Sequence, residues 1–108
     1  MDSQINKGII EICALFLISQ KDYYGYPLMN ELSQYFPDTD TSVFYSILRR
    51  FAKMGFTEIY LGNETGGPVR KYHRITEAGH KYLHEQSDYF KNVVSIAIRI
   101  GLYHVSDF

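Results

Sequence analysis

The sequence has no tryptophan, a single cysteine and three prolines among its 108 residues. One cysteine, Cys13, cannot form an internal disulfide, and the sequence has no Cys-x-x-Cys pair or Cys/His cluster typical of a zinc module. The longest unbroken apolar run, Ile12 to Ile18, is much shorter than the ~20 residues that span a bilayer. These absences exclude a disulfide framework and a membrane-spanning helix, and they indicate a reducing compartment.

Neither charge is in clear excess, because 11 Lys and Arg stand against 12 Asp and Glu. With 45% hydrophobic and 21% charged residues, the composition excludes a disordered tail and a supercharged arm. The length corresponds to one domain with one core. Residues 1–4 lack the basic region of a signal peptide, so we expect the protein to be cytoplasmic.

Charge is nevertheless distributed unevenly along the chain. Residues 49–74 contain six Lys or Arg and two Asp or Glu, whereas residues 1–48 contain two and six. The basic segment can attract a polyanion locally, although the sequence pI of about 6.4 lies below the ~9 of strongly basic nucleic-acid binders. Composition alone therefore leaves nucleic-acid binding open.

Two segments carry more apolar surface than a small single core can cover. Residues 5–18 predict a first helix that is apolar nearly all round, and residues 83–102 predict a broad apolar stripe on the last helix. The first helix must be covered by the last helix or by a second subunit. We therefore expect a homodimer, with the first helix also in the interface.

Prolines and capping residues divide the segment that follows the first helix. Pro27 suits the first turn of a second helix, Pro37 ends that helix, and residues 38–42 supply candidate N-caps for a third. The third helix has a core-facing stripe at helical spacing, formed by Phe44, Ile47, Leu48 and Phe51. Its opposite face combines hydroxyl groups and cations.

Two strands rich in aromatic and β-branched residues are predicted next, at residues 56–61 and 70–75, with a hairpin tip at residues 62–68. Thr76 then caps a final helix whose first turn carries Glu77. This order of elements is typical of a winged helix-turn-helix, which places its third helix in the major groove of DNA and its hairpin along the backbone.

The predicted fold class is therefore mainly α with a small β-hairpin. Residues 1–76 form a winged-helix DNA-binding domain, and residues 77–108 form a C-terminal dimerisation helix. We expect the partners to be double-stranded DNA with an inverted-repeat operator and a second copy of the chain, with a small hydrophobic effector as a further candidate.

The basic excess lies on the two elements that this fold presents to DNA. Arg49 is the candidate for a bidentate contact to guanine, because its planar fork matches the O6 and N7 atoms. Lys53, Arg50, Arg70 and Lys71 are expected at phosphates, and Arg50 has the alternative of a carboxylate within the fold. A solvated helix face is the alternative interpretation of the third helix. The complete predicted DNA-binding set is Thr41, Ser42, Tyr45, Ser46, Arg49, Arg50, Lys53, Arg70, Lys71 and His73.

Four groups of residues, taken together in their order and spacing, resemble the PadR family of bacterial transcription regulators over essentially the whole chain. The resemblance implies a dimeric winged-helix repressor whose C-terminal helix packs against the first helix of the partner. In some members a small ligand relieves repression, and the length is similar to that of the short subfamily with one C-terminal helix. The groups are Tyr24-Gly25-Tyr26, Phe44-Tyr45-x-x-Leu48-Arg49-Arg50-Phe51, Gly55-Phe56, and Gly67-Pro68-x-Arg70-Lys71-Tyr72-x-Arg74-Ile75-Thr76-Glu77-Ala78-Gly79.

Four residues on or beside the predicted DNA face depart from the family pattern. Ser42-Val43 stands in place of Gly-Thr, Ser46 in place of proline, and His73 in place of an aromatic residue. The operator sequence therefore does not transfer from relatives. The tryptophan that short drug-sensing members place at the dimer pocket is also absent.

One set of apolar residues on the first and last helices has two interpretations. It can form the dimer core, or it can bound an inter-subunit cavity for a flat hydrophobic ligand. Burial in the most apolar helix raises the pKa of a thiol, so Cys13 is expected to serve packing and not redox chemistry. The set is Ile9, Cys13, Phe90, Val93, Val94 and Ala97.

The sequence gives no support for catalysis, a metal or a cofactor. It has no phosphate-binding glycine loop and no Ser/His/Asp arrangement that the topology brings together. His80 and His84 share one helix face, but no third ligand accompanies them, so we expect surface histidines. We expect a non-enzyme that uses no cofactor. The alternative function is a winged-helix interaction or assembly module that does not bind DNA.

Overall fold

The computed structural model describes residues 3–63 and 66–107, with side chains from Lys7 onward. Within these ranges the chain forms four α-helices and a small antiparallel sheet, which is the predicted winged helix-turn-helix arrangement. No helix in these two ranges is long and apolar enough to cross a membrane. Glu64 and Thr65, which belong to the predicted hairpin tip, lie outside the described residues. The elements in chain order are α1 (Ser3–Gln20), β1 (Tyr23–Tyr24), α2 (Gly25–Tyr35), α3 (Thr41–Lys53), β2 (Thr57–Gly62), β3 (Arg70–Ile75), α4 (Glu77–Ile100) and a 3₁₀ turn (Val105–Asp107).

The sheet contains one strand more than the sequence predicted. β3 lies in the centre and pairs antiparallel with β2 on one side and with β1 on the other. Tyr23 and Tyr24 of β1 lie opposite His73 and Tyr72. Two residues are too few to show the alternation by which a strand is recognised in sequence. The expected two-stranded hairpin is thus the larger part of a three-stranded sheet.

The boundaries of the predicted elements move by one or two residues. β2 begins at Thr57 and not at Phe56, because the N–H of Phe56 donates to the carbonyl oxygen of Phe51 (2.9 Å) and closes the turn after α3. α3 begins where the sequence offered N-caps, since the Asp40 carboxylate accepts a hydrogen bond from the backbone N–H of Ser42 (2.9 Å). This bond lowers the pKa of Asp40.

The core lies where α1, α2 and α3 meet. The predicted stripe of α3 is buried along its whole length. Because this stripe is held in the core, the opposite face of α3 is fixed toward solvent. The largest fully buried side chains are Ile10, Leu15, Ile18, Leu28, Leu32, Phe44, Ile47 and Phe51.

The N-terminal part of α4 is locked against the turn that precedes β2. The hydroxyl of Thr76 accepts from the backbone N–H of Gly79 (3.0 Å) and donates to the carbonyl oxygen of Gly55 (2.6 Å). Gly79 and Leu83 are the buried residues of this helix. Beyond them α4 carries a series of exposed apolar side chains, namely Tyr89, Phe90, Val93, Ile96 and Ile100.

Candidate nucleic-acid interface

The outward face of α3 carries the hydroxyls and cations that the sequence predicted there. Thr41, Ser42, Tyr45, Arg49 and Lys53 are exposed. Among the described residues, Arg49 and Lys53 have neither an ion pair nor a hydrogen bond through their side chains. An unpaired cation on a rigid helix remains available to an external anion, and the buried stripe of α3 fixes the direction in which it extends.

The outward face of α3 and strand β3 border one cleft of about 540 Å³. Arg49 lies on the helix side, and Arg70, Lys71 and His73 lie on the strand side. The two basic segments, which are separated by some twenty positions in the sequence, are thus adjacent in space. Five predicted residues line this cleft, namely Tyr45, Arg49, Arg70, Lys71 and His73.

Tyrosines contribute a part of the cleft that sequence reasoning missed. Tyr24 and Tyr26 line it together with Tyr45. The guanidinium of Arg70 lies 5.3 Å from the centre of the Tyr24 ring, and that ring meets Tyr72 edge-on at 5.5 Å. Aromatic contacts therefore hold Arg70 at the cleft wall. The available signal was the Tyr24-Gly25-Tyr26 motif before Pro27, in which Tyr24 ends β1 and Tyr26 lies in the first turn of α2.

Arg50 points away from the cleft. Its Nη1 atom lies 3.3 Å from Oε2 of Glu11, and its guanidinium is 5.9 Å from the centre of the Tyr82 ring. It borders a different small cavity together with Lys7 and Glu11. These contacts match the alternative stated for Arg50, which was a carboxylate partner within the fold. They give no support to a phosphate contact.

Arg74 on β3 is also engaged within the protein. It pairs with Glu58 on the neighbouring strand (3.1 Å), and its guanidinium lies 4.9 Å from the centre of the Tyr60 ring. Its charge is therefore compensated on the sheet surface, although the pair is exposed and screened by solvent. Arg70 and Lys71 remain the cations that β3 offers to the cleft.

A second, smaller cavity of about 270 Å³ lies at the start of α3. Thr41 and Tyr45 border it from α3, and Asn30 and Ser33 border it from α2. Ser46 is half-buried and lines neither this cavity nor the larger cleft. The start of α3, which carries these hydroxyl groups, therefore extends the surface of the larger cleft toward α2.

His73 is half-buried in the cleft wall and differs from the exposed cations around it. Its Nδ1 atom is buried and has no hydrogen-bond partner within the described part of the chain. Burial, with a smaller contribution from the neighbouring Lys71 charge, lowers the pKa of His73 below its usual value. Neutral imidazole is thus the favoured form at pH 7, and it presents one donor and one acceptor nitrogen.

The residues predicted for the dimer interface or a ligand differ in exposure and do not all lie in one place. Phe90 and Val93 are exposed on α4, whereas Ile9, Val94 and Ala97 are half-buried. Cys13 lines a separate apolar groove of about 400 Å³, and burial raises the pKa of its thiol. We call this cavity the α1/α2 groove, and its lining includes Cys13, Phe16 and Leu17 of α1, Leu32 and Tyr35 of α2, and Ser87 of α4.

The two histidines of α4 are exposed, and Nε2 of His84 lies 3.2 Å from the carboxylate of Asp88. Within residues 3–63 and 66–107, no three His, Cys, Asp or Glu side chains are grouped so that they can hold a metal ion.

Comparison with known proteins agrees with this geometry. The model of the transcriptional regulator PadR-like family matches residues 14–85. An uncharacterized protein of Lysinibacillus sphaericus is 35% identical over 86 residues, which cover 77% of this chain and 79% of the relative.

Solved structures show the same fold. A PadR-like transcriptional regulator of Bacillus cereus is 33% identical, with a TM-score of 0.83 over 91% of this chain and 96% of its own. A Streptococcus transcriptional regulator is 26% identical, with a TM-score of 0.83 over 92% of this chain and 98% of its own. From the match to more than half of its length, together with the winged-helix architecture, the chain belongs to the PadR-like family of transcriptional regulators.

Proposed function

We propose that this protein acts in the cytoplasm as a homodimeric, sequence-specific DNA-binding repressor. The observation that carries the proposal is the single cleft bordered by Arg49 of α3 and by Arg70 and Lys71 of β3. A helix that enters the major groove and a wing that follows the backbone must present their cations on one side. In this proposal residues 1–76 bind DNA and residues 77–108 dimerise.

The residues of the cleft have different roles in the proposal. Arg49 reads guanine through its planar fork, whereas Arg70, Lys71 and Lys53 contact phosphates. Thr41, Ser42 and Tyr45 approach the same groove from the first turns of α3. His73, as a neutral imidazole, and the half-buried Ser46 lie beside these contacts.

Dimerisation is proposed from the exposed apolar residues of α4. Phe90 and Val93 are large hydrophobic side chains that the chain itself leaves uncovered. Covering them with a second copy places two α3 helices about a two-fold axis. They then enter successive major grooves of an inverted repeat, about 34 Å apart. A small hydrophobic effector bound between the subunits, near Cys13 and Ala97, would change that separation and relieve repression.

The test is DNA binding by the wild-type chain and two charge-matched double variants. Genomic fragments selected by the wild type supply the operator, and affinity is measured across a salt series. Binding that weakens steeply with salt reports counterion release at phosphates and is the expected result. Arg49→Glu with Arg70→Glu should abolish binding, whereas Lys21→Glu with Lys81→Glu, which carries the same change in net charge, should preserve most of it.

The alternative is an assembly module that uses the winged helix to bind protein. That module needs the apolar face of α4 but not the cations of the cleft. If Arg49→Glu with Arg70→Glu leaves function unchanged in an intact dimer, or if binding does not respond to salt, the repressor proposal is wrong.

A further inference from the structure

The cleft between α3 and β3 has an apolar part that its role in DNA binding does not use. Besides the cations, its lining includes Leu48 and Ala52 of α3 and Ile59 of β2. Ile59 is paired with His73 in the strand register, so both side chains lie on the face of the sheet that borders the cleft. The volume of about 540 Å³ is within the range of about 300–1,000 Å³ that is typical of small-molecule pockets.

Duplex DNA offers this cleft its phosphates but not the flat faces of its bases. In a duplex the bases are stacked on one another, and a protein reaches a base face only after extruding the nucleotide. The major groove presents base edges to a helix that enters it. A flat apolar surface between α3 and the sheet therefore has no counterpart on an intact duplex, whereas a free nucleotide has both a phosphate and an open ring.

The amino end of α2 makes one wall of the cleft suitable for a phosphate. Gly25 and Tyr26, the first two residues of α2, line the cleft, and the N-cap residue Tyr24 makes no side-chain capping hydrogen bond. The amino end of a helix carries partial positive charge and favours an anion. The guanidinium of Arg70 lies at the same wall, because it is 5.3 Å from the centre of the Tyr24 ring.

The number of positive charges favours a phosphate over a singly charged anion. Arg49 and Lys71 border the same cleft as Arg70. A phosphate monoester carries about −1.5 to −2 charge at pH 7, so it compensates more than one of these cations. Arginine also pairs with phosphate oxygens through two parallel hydrogen bonds.

The remaining lining suits a planar ring with polar edges. Tyr26 and Tyr45 are exposed aromatic side chains at the cleft, and aromatic side chains stack on nucleic-acid bases with about 1–3 kcal/mol for each base. Ala52 and Ile59 provide apolar contact for the ring. The neutral imidazole of His73 has one donor and one acceptor nitrogen, which match the polar edge of a base.

We infer that this cleft also binds a free nucleoside 5′-phosphate, with the phosphate beside Arg70 at the amino end of α2 and the base against Ala52 and Ile59. The nucleotide and the operator require the same cations, so bound nucleotide releases the protein from DNA. This competition rests on the proposed function, whereas nucleotide binding itself does not. The site differs from the proposed effector site between subunits in both place and chemistry.

Isothermal titration calorimetry of the full chain with AMP and GMP tests the binding. Adenosine and inorganic phosphate are the matched probes, because each retains one half of the ligand. We expect a saturable site for one or both nucleotides, and binding of each half-ligand at least about 10-fold weaker, since each lacks contacts worth at least about 1.4 kcal/mol. A chain that neither AMP nor GMP saturates overturns the inference, as does inorganic phosphate that binds as tightly as the nucleotides.

Two pairs of variants locate the site. Ala52→Leu fills the cleft, whereas Ala78→Leu makes the same change at an exposed position of α4. Arg70→Gln removes an exposed cation of the cleft, whereas Lys53→Gln removes an exposed cation of α3 that does not line it. The first member of each pair should weaken AMP and GMP binding by about 10-fold or more, and the second should leave it unchanged. Equal nucleotide affinity within both pairs overturns the inference. Because Arg70 is exposed, its substitution leaves the core intact.

Operator release on the same samples separates this inference from the proposed function. Fluorescence anisotropy of labelled operator should fall when AMP or GMP is added at concentrations that saturate the cleft, and adenosine or inorganic phosphate at the same concentration should leave it unchanged. Nucleotide that binds in calorimetry without releasing the operator overturns the inference. A chain that binds the operator but neither nucleotide also overturns it and leaves the repressor proposal intact. A chain that binds AMP or GMP but no DNA supports the nucleotide site and overturns the repressor proposal.

Discussion

Arg49 and Lys71 lie in one cleft but have different chemistry. The guanidinium of Arg49 extends from a rigid helix and can pair with both acceptors of guanine, whereas the ammonium of Lys71 is a point charge on a strand. Arg49→Ala should therefore cost about 1–3 kcal/mol on the operator and relax base preference. Lys71→Ala should weaken binding to every duplex about equally and reduce the salt slope by about 1. Titrations with the operator and a scrambled duplex over several salt concentrations measure both effects.

The scrambled duplex is the internal control for this pair of substitutions. If Arg49→Ala weakens operator and scrambled DNA by the same factor, Arg49 is a phosphate contact and base reading belongs elsewhere on α3. If Lys71→Ala changes the ranking of duplexes, the wing reads bases as well as the backbone.

His73 should couple folding to pH. Burial lowers its pKa in the folded state below the unfolded value of 6.5, so the unfolded chain binds more protons as the pH falls. The free energy of unfolding is therefore highest above the unfolded pKa, where His73 is neutral in both states. It decreases as the pH falls below that value, because the unfolded chain takes up the proton more readily than the folded chain. Urea unfolding at pH 8 and pH 5.5 should show a larger loss for the wild type than for His73→Gln. Parallel losses in the two proteins contradict this, since the other three histidines are shared.

At the scale of single elements, the close packing of the start of α4 on the turn after α3 requires a glycine at position 79. A β-carbon on Gly79 would lie 2.1 Å from the carbonyl oxygen of Phe56, so α4 must move or the turn must open. Gly79→Ala should destabilise the protein by about 1–3 kcal/mol or more, as overpacking does. Urea denaturation with a fixed slope measures the change.

Gly8 is the matched control, because it is also helical but has nothing within 4 Å of an added β-carbon. Gly8→Ala removes backbone freedom from the unfolded chain and should stabilise by about 0.5–1 kcal/mol. If both alanine variants shift stability in the same direction, the close approach at Gly79 is not what constrains α4.

The elements that the sequence predicted are those with a local physical cause. The stripe of α3, the Asp40 region that caps it and the Thr76 cap of α4 each depend on residues a few positions apart. β1 depends on pairing with β3, some fifty positions away, so its two residues carry no local signal. The close approach at Gly79 likewise exists only after α4 has packed. Tertiary contacts of this kind are what single-sequence patterns omit.

At the scale of the whole molecule, the predicted site had the same dependence on packing. The sequence identified the two basic segments and predicted that both belong to DNA-facing elements of a winged helix. It did not show that Arg50 turns to Glu11 while Arg49, its neighbour, faces the cleft. That difference follows from helical geometry combined with the position of α1, because adjacent residues on a helix point about 100° apart. Tyr24 and Tyr26, unlike Tyr45, were missed because only the folded chain brings them to the cleft.

The proposed dimer carries two DNA-reading heads, and each head consists of the outward face of α3 and the β2–β3 hairpin of one subunit. A dimer that binds both half-sites gains avidity, since the second contact is intramolecular and can add a factor of 10² to 10⁴. Val93 is exposed on α4, far from the cleft in the chain, so Val93→Glu should separate the subunits without altering a head. Affinity for the inverted repeat should then fall toward that for a half-site, whereas half-site affinity should stay unchanged. Sedimentation equilibrium and titrations with both duplexes check this. An equal loss on both duplexes would mean that the substitution damages the head itself, and an unchanged preference for the inverted repeat would mean that α4 does not join the two heads.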